Sequence, residues 1–223
     1  MHILGYLLTA VAAYLLGSIP TGYLAARLRG VDIRATGSGN IGATNVFRIL
    51  GKPAGICVLL LDALKGFVAV ALVLKYFHEL NEFLPQMFPV DAIALPAVRL
   101  NYAILAGVCA VIGHNYPCWL SFKGGKGIAT SAGVFLALAP LAVSIALGVW
   151  IIVFVVSRYV SLASIAAAVA LPTAVWFTMD SVCLGLVTTA LGTLAIYKHK
   201  ANIQRLLAGT ENRVHFKKEK TVT

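Results

Sequence analysis

Three short stretches of this chain carry residue types suited to holding an anion. Gly37-Ser38-Gly39-Asn40-Ile41-Gly42 fits G-x-G-x-x-G, in which glycines let backbone N–H groups approach a pyrophosphate. Just beyond it, Thr44 and Asn45 add neutral hydrogen-bonding groups and Arg48 adds a fixed positive fork. Lys123-Gly124-Gly125-Lys126-Gly127 sets two ammonium groups around flexible glycines where the next apolar run opens, so a helix N-terminus would face the same anion. His199, Asn202 and Arg205 recur every three residues, a spacing that lines one helical face until Gly209 stops it, and Glu211 follows. All three stretches favour phosphate, the simplest such anion.

Two nucleotide-binding readings fail on context. A dinucleotide turn needs a strand before it and a helix after it inside a βαβ unit, and no strand–helix alternation exists here. Asp62 stands about 20 residues past Gly42, where that fingerprint asks for an acid. It lies inside an apolar run that no ribose could reach. The lysine-rich stretch is not a Walker A loop either, because Lys126 is followed by Gly127 rather than Ser or Thr.

The elements that position these groups belong to a membrane protein. Of 223 residues, 60% are hydrophobic and 12% charged, and mean hydropathy is +0.88. A soluble domain is about half apolar and about a quarter charged. The net charge of +10 would suit nucleic acid or a membrane surface, and hydropathy selects the membrane. Apolar runs cover 3–26, 53–74, 100–122, 127–157, 159–179 and 181–197, and about 20 apolar residues cross a bilayer as a helix. The 127–157 run exceeds one span and carries Pro140 near its middle, which suits two short helices hinged there. Arg27, Arg29, Arg34, Arg48 and Lys52 crowd the first loop, Lys123 and Lys126 the second island, and a basic tail follows residue 197. Glu79, Glu82 and Asp91 lie in a stretch free of Lys and Arg. The positive-inside bias then puts the basic islands in the cytoplasm. Keeping both later islands inside needs an even number of crossings between them, and the hinged pair with the runs 159–179 and 181–197 gives four. The expected fold is all-α, an integral membrane protein of about seven transmembrane helices, N-terminus outside and C-terminus cytoplasmic. Residues 1–216 form one polytopic domain and 217–223 a polar tail.

Singly, each feature has a plainer explanation. Loop glycines serve turns, and juxtamembrane Lys and Arg follow the orientation bias. His114 alone suits an interfacial structural role. Asp62 and Lys65, at i and i+3, can pair and lower the cost of charge in lipid. Ser157 and Ser164 suit helix packing, whereas Ser161 beside Arg158 at a cytoplasmic end is a candidate for the site. Cys57, Cys109, Cys118 and Cys183 have no metal or disulfide spacing. Three islands on one membrane face, each rich in Gly, Ser, Asn and Thr as well as charge, favour a shared site.

The stretches GSGNIGATN, GHNYPCWLSFKGGKGIAT and HKANIQRLLAGTE, with LDALKG (61–66) and SRYVSLAS (157–164), closely resemble the bacterial acyl-phosphate:glycerol-3-phosphate acyltransferase (PlsY) family. The motifs run in order along nearly the whole chain, and Tyr116 stands where Phe is commoner. The resemblance implies an inner-membrane, multi-pass enzyme with its active site facing the cytoplasm and no metal or other cofactor. It would move a fatty acyl group from acyl phosphate to the sn-1 hydroxyl of glycerol 3-phosphate, giving lysophosphatidic acid and phosphate in phospholipid biosynthesis. Both substrates and the bilayer are its implied partners, nucleic acid is not, and whether a soluble acyl-phosphate-producing enzyme docks stays open. Ser38, Arg48, Lys126, Ser161 and His199 become the expected catalytic residues. Gly37, Gly39, Asn40, Thr44, Asn45, His114, Lys123, Gly124, Gly125, Gly127, Asn202, Arg205 and Glu211 become the expected substrate-binding set. No His is followed five residues later by an acid: Leu7, Phe83, Trp119, Gln204 and Lys220 occupy those positions, so the His-x4-Asp dyad of other acyltransferases is absent. A transporter of organic phosphate is the competing class, and it predicts broken-helix repeats that the sequence lacks.

Overall fold

A computed structural model of the chain describes residues 2–83 and 95–214. The tail 217–223 and the acidic stretch around Asp91 lie outside them. Among the described residues there is no strand, and ten α-helices follow one another: α1 His2–Ser18, α2 Thr21–Arg27, α3 Ala43–Leu50, α4 Lys52–Phe83, α5 Leu95–Asn115, α6 Ile128–Leu138, α7 Pro140–Ser157, α8 Val160–Thr178, α9 Val182–Lys198 and α10 Lys200–Leu207. The fold is all-helical, as the composition implies.

Prolines and glycines punctuate the apolar runs. Pro20 separates α1 from α2, since its ring removes a donor and fixes φ. Ala139 leaves helical geometry (φ −147°, ψ 69°) and Pro140 opens α7, so the long apolar run does divide at Pro140. Among the described residues, five helical stretches are long and apolar enough to cross a membrane: Ile3–Arg27, Lys52–Phe77, Pro96–Leu120, Pro140–Ser157 and Val160–Thr178. The α9–α10 pair, bent by 56°, brings the count to six. The α6 helix is apolar but has 11 residues, about 16 Å of helix against a hydrocarbon core of about 30 Å.

Close helix contacts rest on small residues, the usual device where lipid supplies no hydrophobic drive. A methyl on Gly66 of α4 would overlap the Thr130 carbonyl, and one on Gly133 of α6 would overlap the Ala63 carbonyl. These two contacts seat α6 along α4. The main apolar cluster joins Val70, Ile104, Val111, Val134, Phe135, Val175, Leu184 and Leu191 from α4, α5, α6, α8 and α9. A second cluster, including Ala26, Ile33, Ile41, Val46 and Val58, holds the first polar island against α4. By contrast Ile151, Ile152, Val155 and Val156 of α7 are exposed, which in a bilayer is a lipid-facing surface.

Candidate active site

The first island is a loop tied to itself. Gly37 and Gly39 take positive φ (64° and 69°), which β-carbon-bearing residues avoid. Asn45, on the first turn of α3, is the fastener. Its Oδ1 accepts from the Ser38 N–H (3.0 Å), and its Nδ2 donates to the Thr36 and Ile33 carbonyls (3.0 and 3.3 Å). Asn40 Oδ1 accepts from the Gly42 N–H (2.8 Å). With the backbone fixed in this way, Ser38, Thr44 and Arg48 are exposed. The G-x-G-x-x-G stretch follows a helix and a loop, not a strand, so the dinucleotide reading fails in the structure too.

The second island is pinned by backbone. Gly124 N–H donates to the Asn115 carbonyl (3.2 Å) and Gly125 N–H to the His114 carbonyl (3.1 Å). A methyl on Gly125 would overlap His114 Nε2, so the loop lies directly on that imidazole. Gly127, at φ 80°, caps α6. Lys198 Nζ donates to the Asn115 carbonyl (3.1 Å) and sits 4.3 Å over the Tyr116 ring, a fastening that the sequence gives no signal for.

The third island meets the second through Lys126. The last span does not run on straight: α9 ends at Lys198, the axis turns 56°, and α10 begins. The turn lets Asn202 and Arg205 close on Glu211. Lys126 Nζ donates to Asn202 Oδ1. Asn202 Nδ2 donates to Glu211 Oε1 (2.8 Å), Ser161 Oγ to the same oxygen (2.9 Å), and Arg205 Nε to Oε2 (2.7 Å). Glu211, one of the expected substrate-binding residues, is thus a buried acceptor for three side chains from two helices, α8 and α10. Burial alone would raise its carboxyl, yet the donors Asn202, Arg205 and Ser161 hold it below the usual value. His199 Nδ1 is 2.7 Å from the Ala195 carbonyl. That oxygen can only accept, so Nδ1 carries the proton and Nε2 keeps its lone pair.

Charge is tuned by crowding. Lys126 falls to about 8, chiefly through burial; Glu211 opposes the shift, while Arg205 and Arg48 add to it. His199 falls to about 4, from burial first and Lys126 next, so the ring is neutral at pH 7. The structure therefore gathers Lys126, Ser161, His199, Asn202, Arg205 and Glu211, with Arg48 in electrostatic reach. Among the described residues, Ser38, Asn40, Thr44 and Lys123 form no hydrogen bond to that group, and Lys123 is exposed. His114 lies behind the loop, 3.4 Å from Asp62. No three His, Cys, Asp or Glu side chains converge as a metal set would, among the described residues.

Known proteins resemble this one over nearly its full length. Residues 7–209 match the family described as glycerol-3-phosphate acyltransferase. The protein of that name from Syntrophotalea carbinolica is 47% identical over 204 residues, 91% of this chain and 94% of its own. That from Geobacter sulfurreducens is 46% identical over 211 residues, covering 93% and 96%. Crystal structures of PlsY, an integral membrane glycerol 3-phosphate acyltransferase, superpose with TM-scores of 0.81 for its glycerol 3-phosphate form and 0.79 for its lysophosphatidic acid form. Each shares 38% identity and covers 95% of this chain and 96% of that one. By the extent of these matches, and by the motifs that build its clustered islands, the chain belongs to the glycerol-3-phosphate acyltransferase family.

Proposed function

We propose that this protein transfers a fatty acyl group from acyl phosphate to the sn-1 hydroxyl of glycerol 3-phosphate, releasing lysophosphatidic acid and inorganic phosphate. The observation that carries the reading is the joining of Lys126, Asn202, Arg205 and Ser161 around Glu211, beside a neutral His199. The PlsY structures in glycerol 3-phosphate and lysophosphatidic acid forms support the acceptor and the product class. Seven membrane helices, α6 among them, would keep all three islands on the cytoplasmic face of the bacterial inner membrane. The acyl chain would then reach the site from the bilayer.

Acyl phosphate is already activated, so the glycerol hydroxyl attacks the acyl carbonyl carbon directly. The new ester bond forms, the bond from carbonyl carbon to phosphate oxygen breaks, and the phosphate departs. His199 Nε2, with its lone pair open, is one acceptor for the hydroxyl proton, and a substrate phosphate oxygen is the other. Lys126, Arg48 and Ser38 bind the donor phosphate, and they stabilise charge as it develops. Asn202, Arg205 and His199 hold glycerol 3-phosphate, and Ser161 helps hold the Glu211 carboxylate that sets Asn202 and Arg205 in place. Gly37, Gly39, Asn40, Thr44, Asn45 and Gly127 shape the cradle. Much of the rate then comes from positioning.

The test is turnover by purified protein given palmitoyl phosphate or palmitoyl-CoA with labelled glycerol 3-phosphate. Lysophosphatidate from the acyl phosphate alone, reduced at least about 100-fold in Lys126→Ala, is expected, since one charge-stabilising donor supplies about that much. Product from palmitoyl-CoA alone would overturn the donor assignment, and an acyl group trapped on a Ser or Cys would overturn direct attack.

A further inference from the structure

Outside the clustered islands, the molecule buries a second set of ionisable groups. Asp62 and Lys65, both on α4, are 2% and 6% exposed and form an ion pair of 2.8 Å. Such a pair is expensive in a membrane protein, and apolar residues of similar volume commonly serve stability as well or better. Its other contacts suggest what keeps it. Lys65 Nζ donates to the Ile19 carbonyl (2.9 Å), in the break between α1 and α2. Thr21 Oγ1, at the start of α2, donates to Asp62 Oδ1 (2.7 Å), and His114 Nδ1 lies 3.4 Å from that oxygen.

Each contact leads to one of the two glycine loops. The α2 helix abuts the first: a methyl on Gly22 would overlap the Ile41 carbonyl, inside GSGNIG. His114 seats the second, receiving the Gly125 N–H on its carbonyl and the Gly125 α-carbon against its ring. Only Lys126 separates that contact from the residue capping α6.

We propose that the Asp62–Lys65 pair is a positioning element that sets the two glycine loops at a fixed spacing, through Ile19 and Thr21 on one side and His114 on the other. Neither residue touches substrate; both act through the loops. The proposal rests on the reading of those loops as the phosphate sites. It predicts that breaking the pair harms phosphate binding and turnover out of proportion to its effect on folding.

Asp62→Asn and Lys65→Met are compared with Val175→Ala, a cavity variant in the main apolar cluster. Turnover and the affinity for inorganic phosphate are measured in detergent, well below each unfolding temperature. A misplacement of about 1 Å costs about 100-fold in rate. Asp62→Asn and Lys65→Met should therefore lose about that much kcat/KM and weaken phosphate several-fold, with Lys65→Arg recovering part of both. Val175→Ala should keep both near wild type despite a lowered unfolding temperature. Should Asp62→Asn fail to fold, Thr21→Val removes a single hydrogen bond and should give the same pattern at smaller size. Asp62 and Lys65 variants that lose thermal stability alone, with phosphate affinity and turnover matching Val175→Ala, would overturn the inference. Wild-type protein that binds phosphate without turning over acyl phosphate would overturn the proposed function instead, and phosphate affinity in the variants would still decide this point.

Discussion

The two sides of the site are built differently. Around GSGNIG, the hydrogen bonds of Asn45 and Asn40 close within the loop and leave Ser38, Thr44 and Arg48 in solvent. Around Glu211, the side chains bond one another across three segments and are largely buried. The first is a cradle whose backbone is prepared and whose charged fork is free to meet a ligand. The second is a cross-linked cluster whose polar groups are satisfied before any ligand arrives. On the proposed function, a phosphate entering between them would meet one fixed wall and one adaptable one. Fixed groups cost less ordering on binding, and mobile ones let substrate in and product out.

The comparison is broken hardest at Glu211. Glu211→Ala strips the acceptor from Ser161, Asn202 and Arg205 together. Each buried group left unpaired costs about 1–3 kcal/mol. A fall in unfolding temperature and a loss of turnover of at least about 100-fold should appear together, as read by thermal unfolding in detergent and by the lysophosphatidate assay. Turnover near wild type would show that the cluster is not the fixed wall.

Asn45→Ala attacks the other side. It frees the Ser38 N–H and the Thr36 and Ile33 carbonyls at a buried side chain, so each group left unpaired costs about 1–3 kcal/mol. KM for the phosphate substrates should rise about tenfold with a smaller change in kcat, a split that steady-state kinetics resolves. An equal loss in kcat would mean that the two walls are not separable.

The pH profile sharpens the contrast further. Lys126, on the crowded side, loses its proton at about 8 because burial and the neighbouring Arg48 and Arg205 disfavour its charge. On the proposed function it is the charged form that binds phosphate, so kcat/KM should hold below that pH. Above it, kcat/KM should fall by up to about tenfold per pH unit. Lys126→Arg, with a guanidinium charged throughout this range, should flatten the alkaline limb whatever its absolute rate. An unchanged limb would assign the titration to another group.

What the sequence determined is local. Composition and run length dictate membrane helices, because about 20 apolar residues satisfy a bilayer and their own backbone at once. Pro140 dictates the break in the 127–157 run, whereas the break at Pro20 inside the 3–26 run emerged only in the structure, and i,i+3 spacing dictates the Asp62–Lys65 pair. The glycine, amide and basic islands likewise announce anion chemistry wherever they end up. What only the tertiary structure decided is which groups meet. The three-residue spacing of His199, Asn202 and Arg205 suggests one straight face, but the chain turns by 56° at His199. Glu211, past the helix end, becomes the centre of the cluster because the turn and Gly209 (φ 67°) return it to Ser161, 50 residues away. His114 sits under Gly125 against Asp62 because α4, α5 and α6 pack through small residues. Such meetings join residues far apart in sequence, and hydropathy and spacing report only on neighbours along one helix.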